Sequence, residues 1–116
     1  MIVKQGEIYF AYVNAPEAHR VVVVSRDELN GGDYVVVVPF TTKRLARRKS
    51  LRNCVFFPRG TLGLSADCVA QTEAITAAPK ENLDLDTGPL GTLNAEQMRD
   101  IIRATGYVLG AICEPE

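Results

Sequence analysis

The chain has no tryptophan, one histidine (His19), two methionines and three cysteines, and aromatic residues make up only 7% of it. Cys54, Cys68 and Cys113 are widely separated, with no C-x-x-C pair and no His/Cys ligand spacing, so neither a zinc site nor any other metal or cofactor is expected. The odd number of thiols argues for a reducing compartment. Cys54 and Cys68 stand in apolar runs and read as buried, inert thiols rather than nucleophiles. Long hydrophobic runs are also missing: the longest reach five or six residues, far short of the roughly 20 that cross a bilayer. The first residues lack the apolar stretch of a signal peptide. The expectation is a cytoplasmic protein without a membrane partner.

What is present describes an ordinary globular composition. The 116 residues suit one domain spanning 1–116, with 47% hydrophobic and 23% charged residues and a net charge of −1. The charge is unevenly placed. Residues 1–60 hold ten Lys/Arg against five Asp/Glu, and residues 61–116 hold three against nine. The sharpest feature is Lys43, Arg44, Arg47, Arg48, Lys49 and Arg52, six cations within ten residues. Such a density attracts a polyanion such as nucleic acid; a solvated loop with no partner is the other reading, and charge alone does not separate them.

Periodicity supplies the elements. Residues 7–13, rich in aromatic and β-branched side chains after Gly6, read as a strand. Residues 20–25 and 34–40 are nearly unbroken valine runs, which implies strands buried on both faces, and the turn-rich Asn30-Gly31-Gly32-Asp33 between them makes them neighbours. A fourth strand is expected at 53–57, stopped by Pro58 and Gly60, and a fifth at 67–76. A turn of helix is expected near 80–83. At the end, Met98, Ile101, Ile102, Thr105, Val108, Leu109 and Ile112 recur at spacings of three and four, the stripe of an amphipathic helix. Asn94 and Gln97 form a capping box, with Leu93 and Met98 as the staple around it. Gly106 and Gly110 lower helix propensity and suggest a close backbone approach. Several short strands followed by one helix describe a mainly β fold, a small barrel of about five to seven strands with a packed C-terminal helix.

Five short segments in order resemble the MazF/PemK family of toxin endoribonucleases: Gly6-Glu7-Ile8-Tyr9, Arg20 before Val21-Val22-Val23-Val24-Ser25, Val36-Val37-Val38-Pro39-Phe40-Thr41-Thr42, Gly63-Leu64-Ser65-Ala66-Asp67-Cys68-Val69, and the closing segment with Leu90-Gly91-Thr92-Leu93. The chain departs from the family in three places. Its loop between the first two strands is short and lacks glycine, Arg20 is followed by Val21 rather than proline, and Ala74 and Thr76 stand where Gln and Arg often follow the acidic residue.

The resemblance implies an SH3-like barrel that cleaves single-stranded RNA without metal, by attack of the 2′-hydroxyl on the adjacent phosphate. That reaction needs a base, an acid, and donors for the crowded phosphorane. The family's essential arginine maps onto Arg20, whose planar fork of donors suits a phosphate oxygen. Its Thr/Ser maps onto Thr41, with Thr42 beside it. Glu73 falls on an acidic position; on an apolar strand its carboxyl would be raised and could act as base. His19, beside Arg20, is of the residue type that ordinarily titrates near neutrality and could move a proton. Lys43, Arg44, Arg47, Arg48 and Lys49 would grip the RNA backbone, and Tyr12 or Phe57 could stack a base. Each has a plainer reading: a surface ion pair for Arg20, turn capping for the threonines, an outward carboxylate for Glu73, a surface loop residue for His19, core for the aromatics.

The resemblance further implies a homodimer, with the C-terminal helix near its interface, and a cognate antitoxin whose acidic tail covers the basic groove. Two rivals remain open. One is an inactive barrel kept as an RNA- or protein-binding module, and the other is a gyrase-inhibiting toxin on the same barrel. The absence of tryptophan and of any C-terminal aromatic after Tyr107 counts against the second.

Overall fold

The computed structural model describes residues 2–13 and 16–111. Seven strands form one antiparallel, curled sheet, a half-barrel: β1 (Glu7–Ala11), β2 (His19–Val23), β3 (Tyr34–Thr41), β4 (Cys54–Phe57), β5 (Cys68–Gln71), β6 (Thr76–Pro79) and β7 (Gly91–Thr92). A single helical turn, α1 (Leu45–Arg48), follows β3, and the long helix α2 (Ala95–Leu109) closes the chain. The strand order is β4-β5-β3-β2-β1-β7, with β6 also paired to β3.

The two valine runs are adjacent central strands, as the sequence implies. Val21, Val22 and Val23 of β2 pair with Pro39, Val38 and Val37 of β3. Because side chains alternate across a strand, the runs feed two separate cores. Val22 and Val38 join Ile8, Phe40, Phe57 and Ile101 on one face, while Val21, Val23, Val35 and Val37 join Tyr9 and Leu83 on the other. Burial on both faces is why alternation is invisible in these stretches.

The expected fifth strand at 67–76 is two strands interrupted by a 3-10 turn at Thr72–Ala74. Ala70 of β5 opposes Phe40, and Thr76 of β6 opposes Val37. Between those pairs β3 offers only Val38 and Pro39, whereas the other side carries residues 71–75, so the surplus loops outward. The cause lies in Pro39. Val24 N donates to Val36 O at 2.8 Å, so by alternation the nitrogen of Pro39 faces the β5–β6 edge, and it has no hydrogen to give. The turn is pinned instead to Asn53, whose carbonyl accepts from the Thr72 amide at 3.1 Å and the Thr72 hydroxyl at 2.8 Å. The first strand likewise ends earlier than expected, at Ala11, because the Tyr12 amide turns to the carbonyl of Asn82 (3.0 Å). A 3-10 turn at Lys80–Asn82 matches the expected helical turn.

Helix α2 starts where its signals lie. Asn94 Oδ1 accepts from Gln97 N at 2.8 Å and Gln97 Oε1 accepts from Asn94 N at 2.9 Å. Ile101 and Ala104 are buried, and Leu93 and Met98 belong to or pack on the same core. The stripe is narrower than the periodicity suggests, since Ile102 and Leu109 are exposed. Gly110 terminates the helix, and Gly106 admits the close backbone approach expected of it, since a Cβ there would come 3.2 Å from the carbonyl of Ala111. Gly110 takes φ 80°, and the amides of Ala111 and Gly110 return to the carbonyls of Gly106 (2.9 Å) and Tyr107 (3.3 Å), a Schellman ending. Ile112, expected in the stripe, lies outside the described residues, as does Cys113. Among the described residues no helix is long and apolar enough to cross a membrane.

Candidate functional site

The mouth of the curled sheet is where the start of β2 meets the end of β3. The β2–β3 pairing ends at Val21↔Pro39, and beyond it lie His19 and Arg20 on β2 and Phe40 and Thr41 on β3. Both pairs open onto one cleft of about 210 Å3, whose walls also include Thr42, Lys43, Ser65 and Cys68. Five residues singled out in the sequence, His19, Arg20, Thr41, Thr42 and Lys43, therefore share one cavity.

Arg20 is held on two sides. Its guanidinium carbon lies 4.9 Å from the centroid of the Phe10 ring, its cross-strand partner in β1. Its Nε donates to the carbonyl of Gly63 at 3.1 Å. The two Nη groups make no hydrogen bond among the described residues, so the outer edge of the fork stays available to an anion. The loop that presents Gly63 is locked by close packing. A Cβ on Gly63, where φ is +72°, would come 2.6 Å from Leu90 O, and a Cβ on Gly91 would come 2.7 Å from Leu62 Cα. Neither Phe10 nor Gly63 was among the candidates, since cross-strand register and the 63–90 approach are set by tertiary structure. The Gly63-Leu64 and Leu90-Gly91 segments were nevertheless visible as motifs.

Thr41 also has its geometry prescribed. Its Oγ1 accepts from the Lys43 amide at 3.2 Å and from Arg48 Nη1 at 3.5 Å. Arg48 Nη1 donates as well to the Lys43 carbonyl at 3.1 Å. The chain can fold back this way because Arg44, at φ 54° and ψ 40°, takes a left-handed conformation just before α1, a costly one for a long side chain. An adjoining cleft of about 350 Å3 shares His19, Thr41 and Lys43 with the first and adds Arg48 and Gln71. His19 is half exposed at this rim, with its Nε2 3.9 Å from a carboxylate oxygen of Glu17.

Several expectations do not survive. Glu73 is not on an apolar strand. It is exposed on the 3-10 turn, and it lines a separate hollow with Arg44, Arg47, Arg48 and Leu51. Partial burial would raise its carboxyl, but hydrogen bonds from Asn53 Nδ2 (2.6 Å) and Gln71 Nε2 (2.9 Å), its own amide and the charge of Arg48 hold it below the ordinary value. The raised carboxyl expected of a general base is absent there. Lys49 lies over the Phe56 ring at 4.7 Å and Arg52 over Tyr107 at 4.3 Å, and neither lines the cleft. Phe57 cannot stack a base, being buried at 2% exposure and packed edge-on against Phe40, with centroids 5.5 Å apart. Tyr12, at 54% exposure, borders an open hollow next to the cleft together with Phe10 and Asp84. Cys54 and Cys68 are buried free thiols, as read from the sequence.

The half-barrel thus brings an arginine fork and a threonine to one cleft beside a basic turn. The sequence profile of the PemK-like, MazF-like toxins of type II toxin–antitoxin systems matches residues 4–109, and the chain belongs to that family. Members of it are endoribonucleases of toxin–antitoxin systems. No curated protein matches the sequence closely. Among solved structures the fold is similar to an endoribonuclease in complex with its cognate antitoxin from a mycobacterial species, at TM-score 0.78 and 21% identity over 97% of this chain and 99% of that one. It is similar to the Mycobacterium tuberculosis toxin MazF-mt6, at TM-score 0.75 and 22% identity over 90% and 96%. It is also similar to a chain of a MazE–MazF crystal structure from Deinococcus radiodurans, at TM-score 0.73 and 17% identity over 95% and 97%.

Proposed function

We propose that this protein is an endoribonuclease toxin that cuts single-stranded RNA, chiefly messenger RNA, and so stops translation. The observation carrying this reading is that Arg20 and Thr41 line one cleft, with only the Nε of Arg20 engaged in a hydrogen bond among the described residues.

In the proposed reaction the ribose 2′-oxygen attacks the adjacent phosphorus while the bond from phosphorus to the 5′-oxygen breaks. The products are a 2′,3′-cyclic phosphate and a free 5′-hydroxyl. The substrate provides the nucleophile, so the protein must supply charge stabilisation and proton transfer. Arg20 and Thr41 donate to the nonbridging oxygens, where negative charge builds as the phosphorane forms. His19, the imidazole on the same rim, takes or returns the proton. Glu73 is left out of proton transfer, because its lowered carboxyl is a poor base and it lines another hollow. Thr42, Lys43, Arg44 and Arg47 attract the backbone on either side, and Tyr12 offers an exposed ring for a base.

The family membership supports a cognate antitoxin as the partner. The cationic turn beside the cleft suits an acidic, disordered antitoxin segment that folds on binding. A homodimer with α2 near its interface is supported by the apolar surface that Ile102 and Leu109 leave exposed.

The test is incubation of the purified protein with a long single-stranded RNA in the presence of a chelator. The expected result is cleavage to cyclic-phosphate ends, abolished in Arg20→Ala. Undiminished cutting by Arg20→Ala removes the site, and salt-sensitive RNA binding without products from the native protein favours a binding module instead.

A further inference from the structure

We infer that Arg48 is a positioning residue for Thr41 rather than one of the cations that grip RNA. This rests on the nuclease reading above, which makes the Thr41 hydroxyl a donor to the reacting phosphate. A threonine oxygen has two lone pairs and one proton. The Lys43 amide and Arg48 Nη1 approach Oγ1 together, at 3.2 Å and 3.5 Å. With both acceptor sites occupied, the O–H must act as a donor, and Thr41 lines both the cleft it shares with Arg20 and the adjoining one it shares with His19 and Arg48. Arg48 also ties Nη1 to the Lys43 carbonyl at 3.1 Å. Residues 41, 43 and 48 thus close a small ring in which the hydroxyl direction is set before any substrate arrives. Such prior orientation is what a developing phosphorane requires, since a donor that must first turn contributes less.

The surroundings of Arg48 fit this assignment better than a grip on RNA. Arg48 is half-buried, whereas Lys43, Arg44, Arg47 and Lys49 are exposed. The carboxylate of Glu73, pinned by Asn53 and Gln71, lines the same hollow and offsets the Arg48 charge that would otherwise attract phosphate. The strained backbone at Arg44 lies directly before α1, and the Arg48 amide closes that turn onto the Arg44 carbonyl at 3.0 Å. Left-handed strain at a long side chain persists where surrounding contacts compel it. Here it delivers Arg48 to Thr41.

Arg48→Met and Arg48→Lys separate the two roles. Positioning predicts that Arg48→Met lowers kcat by about ten- to a hundredfold and leaves KM for RNA within about twofold. It also predicts that Arg48→Lys fails to restore kcat, because a point charge cannot reproduce the guanidinium fork. A backbone grip predicts the reverse: a raised KM, a shallower salt dependence, and recovery with lysine. Either feature overturns the proposal. A second readout does not depend on cutting. Methyl NMR of Thr41 should report one side-chain rotamer in the native protein and rotamer averaging in Arg48→Met, with the Lys43 amide resonance shifted. An unchanged rotamer and amide in a folded Arg48→Met overturns the positioning role. If the native protein cuts no RNA, the nuclease reading falls, and the rotamer measurement alone decides whether Arg48 holds Thr41.

Discussion

Arg20 gives its Nε hydrogen to the carbonyl oxygen of Gly63 at 3.1 Å. The contact joins residues 43 positions apart and depends on a loop with almost no slack. Residues 62 and 63 lie so close to residues 90 and 91 that a methyl group at Gly91 would meet Leu62 Cα at 2.7 Å. Gly91→Ala should therefore displace backbone, not a yielding side chain. The expected cost is about 1–3 kcal/mol, typical of overpacking. The expected kinetic effect is a loss of RNA cleavage larger than the fraction of unfolded protein explains. Thermal unfolding and a cleavage rate corrected for folded protein would check this. Native-like values for both would mean that the loop does not set the arginine.

Replacing Arg20 by lysine separates charge from shape. Lysine keeps the positive charge at the cleft but loses the planar fork, the Nε contact to Gly63 and the favourable stacking on Phe10. Single-turnover cleavage by Arg20→Lys should be slower than native by about a hundredfold, the size of a lost transition-state donor. Binding of a non-cleavable 2′-methoxy RNA should change little. Near-native cleavage would show that a simple cation suffices there.

Most of the fold can be read from the chain because its signals are local. The Asn94–Gln97 capping box, the valine runs and the stop at Pro58 each declare themselves within a few residues. The split between β5 and β6 was not legible, because its cause is Pro39 in a strand some 35 residues earlier in sequence, facing that edge only once the register exists. The site follows the same division. Arg20 and Thr41 are found from motif, since each ends a recognisable strand. The roles of Glu73, Arg48 and Lys49 depend on where a turn points its side chains, and charge counting treats them as one patch. The structure divides that patch among Thr41, Phe56 and Tyr107.

Asn94→Ala isolates the helix cap from the site. Both hydrogen bonds of the capping box involve Asn94, its side chain in one and its amide in the other. Losing the side-chain acceptor should cost about 1 kcal/mol, or about 4 °C in Tm for a domain of this size. The cleft is built by β2, β3 and the 63–66 loop, so cleavage by the folded fraction should not change. A Tm within 1 °C of native, roughly the resolution of a melting curve, would argue that the packing of Ile101 and Ala104 alone fixes the start of α2.

Cys68 lines the cleft, yet burial pushes its thiol from the ordinary 9.0 up to about 11, the nearby Arg20 charge notwithstanding. At neutral pH it is protonated and should alkylate far more slowly than an exposed cysteine. The same shift has a consequence for stability. The folded thiol ionises at higher pH than the unfolded one, so its contribution is complete below about pH 9 and is lost as pH rises through about 11. Urea unfolding at intervals from pH 8 to about pH 11 should show the native protein losing more stability across that window than Cys68→Ala. Cys54, raised for the same reason, remains in both proteins, so the difference between their slopes belongs to Cys68. Parallel pH curves for the two would mean that residue 68 is solvated in the folded chain and that the cleft is wetter than its walls suggest.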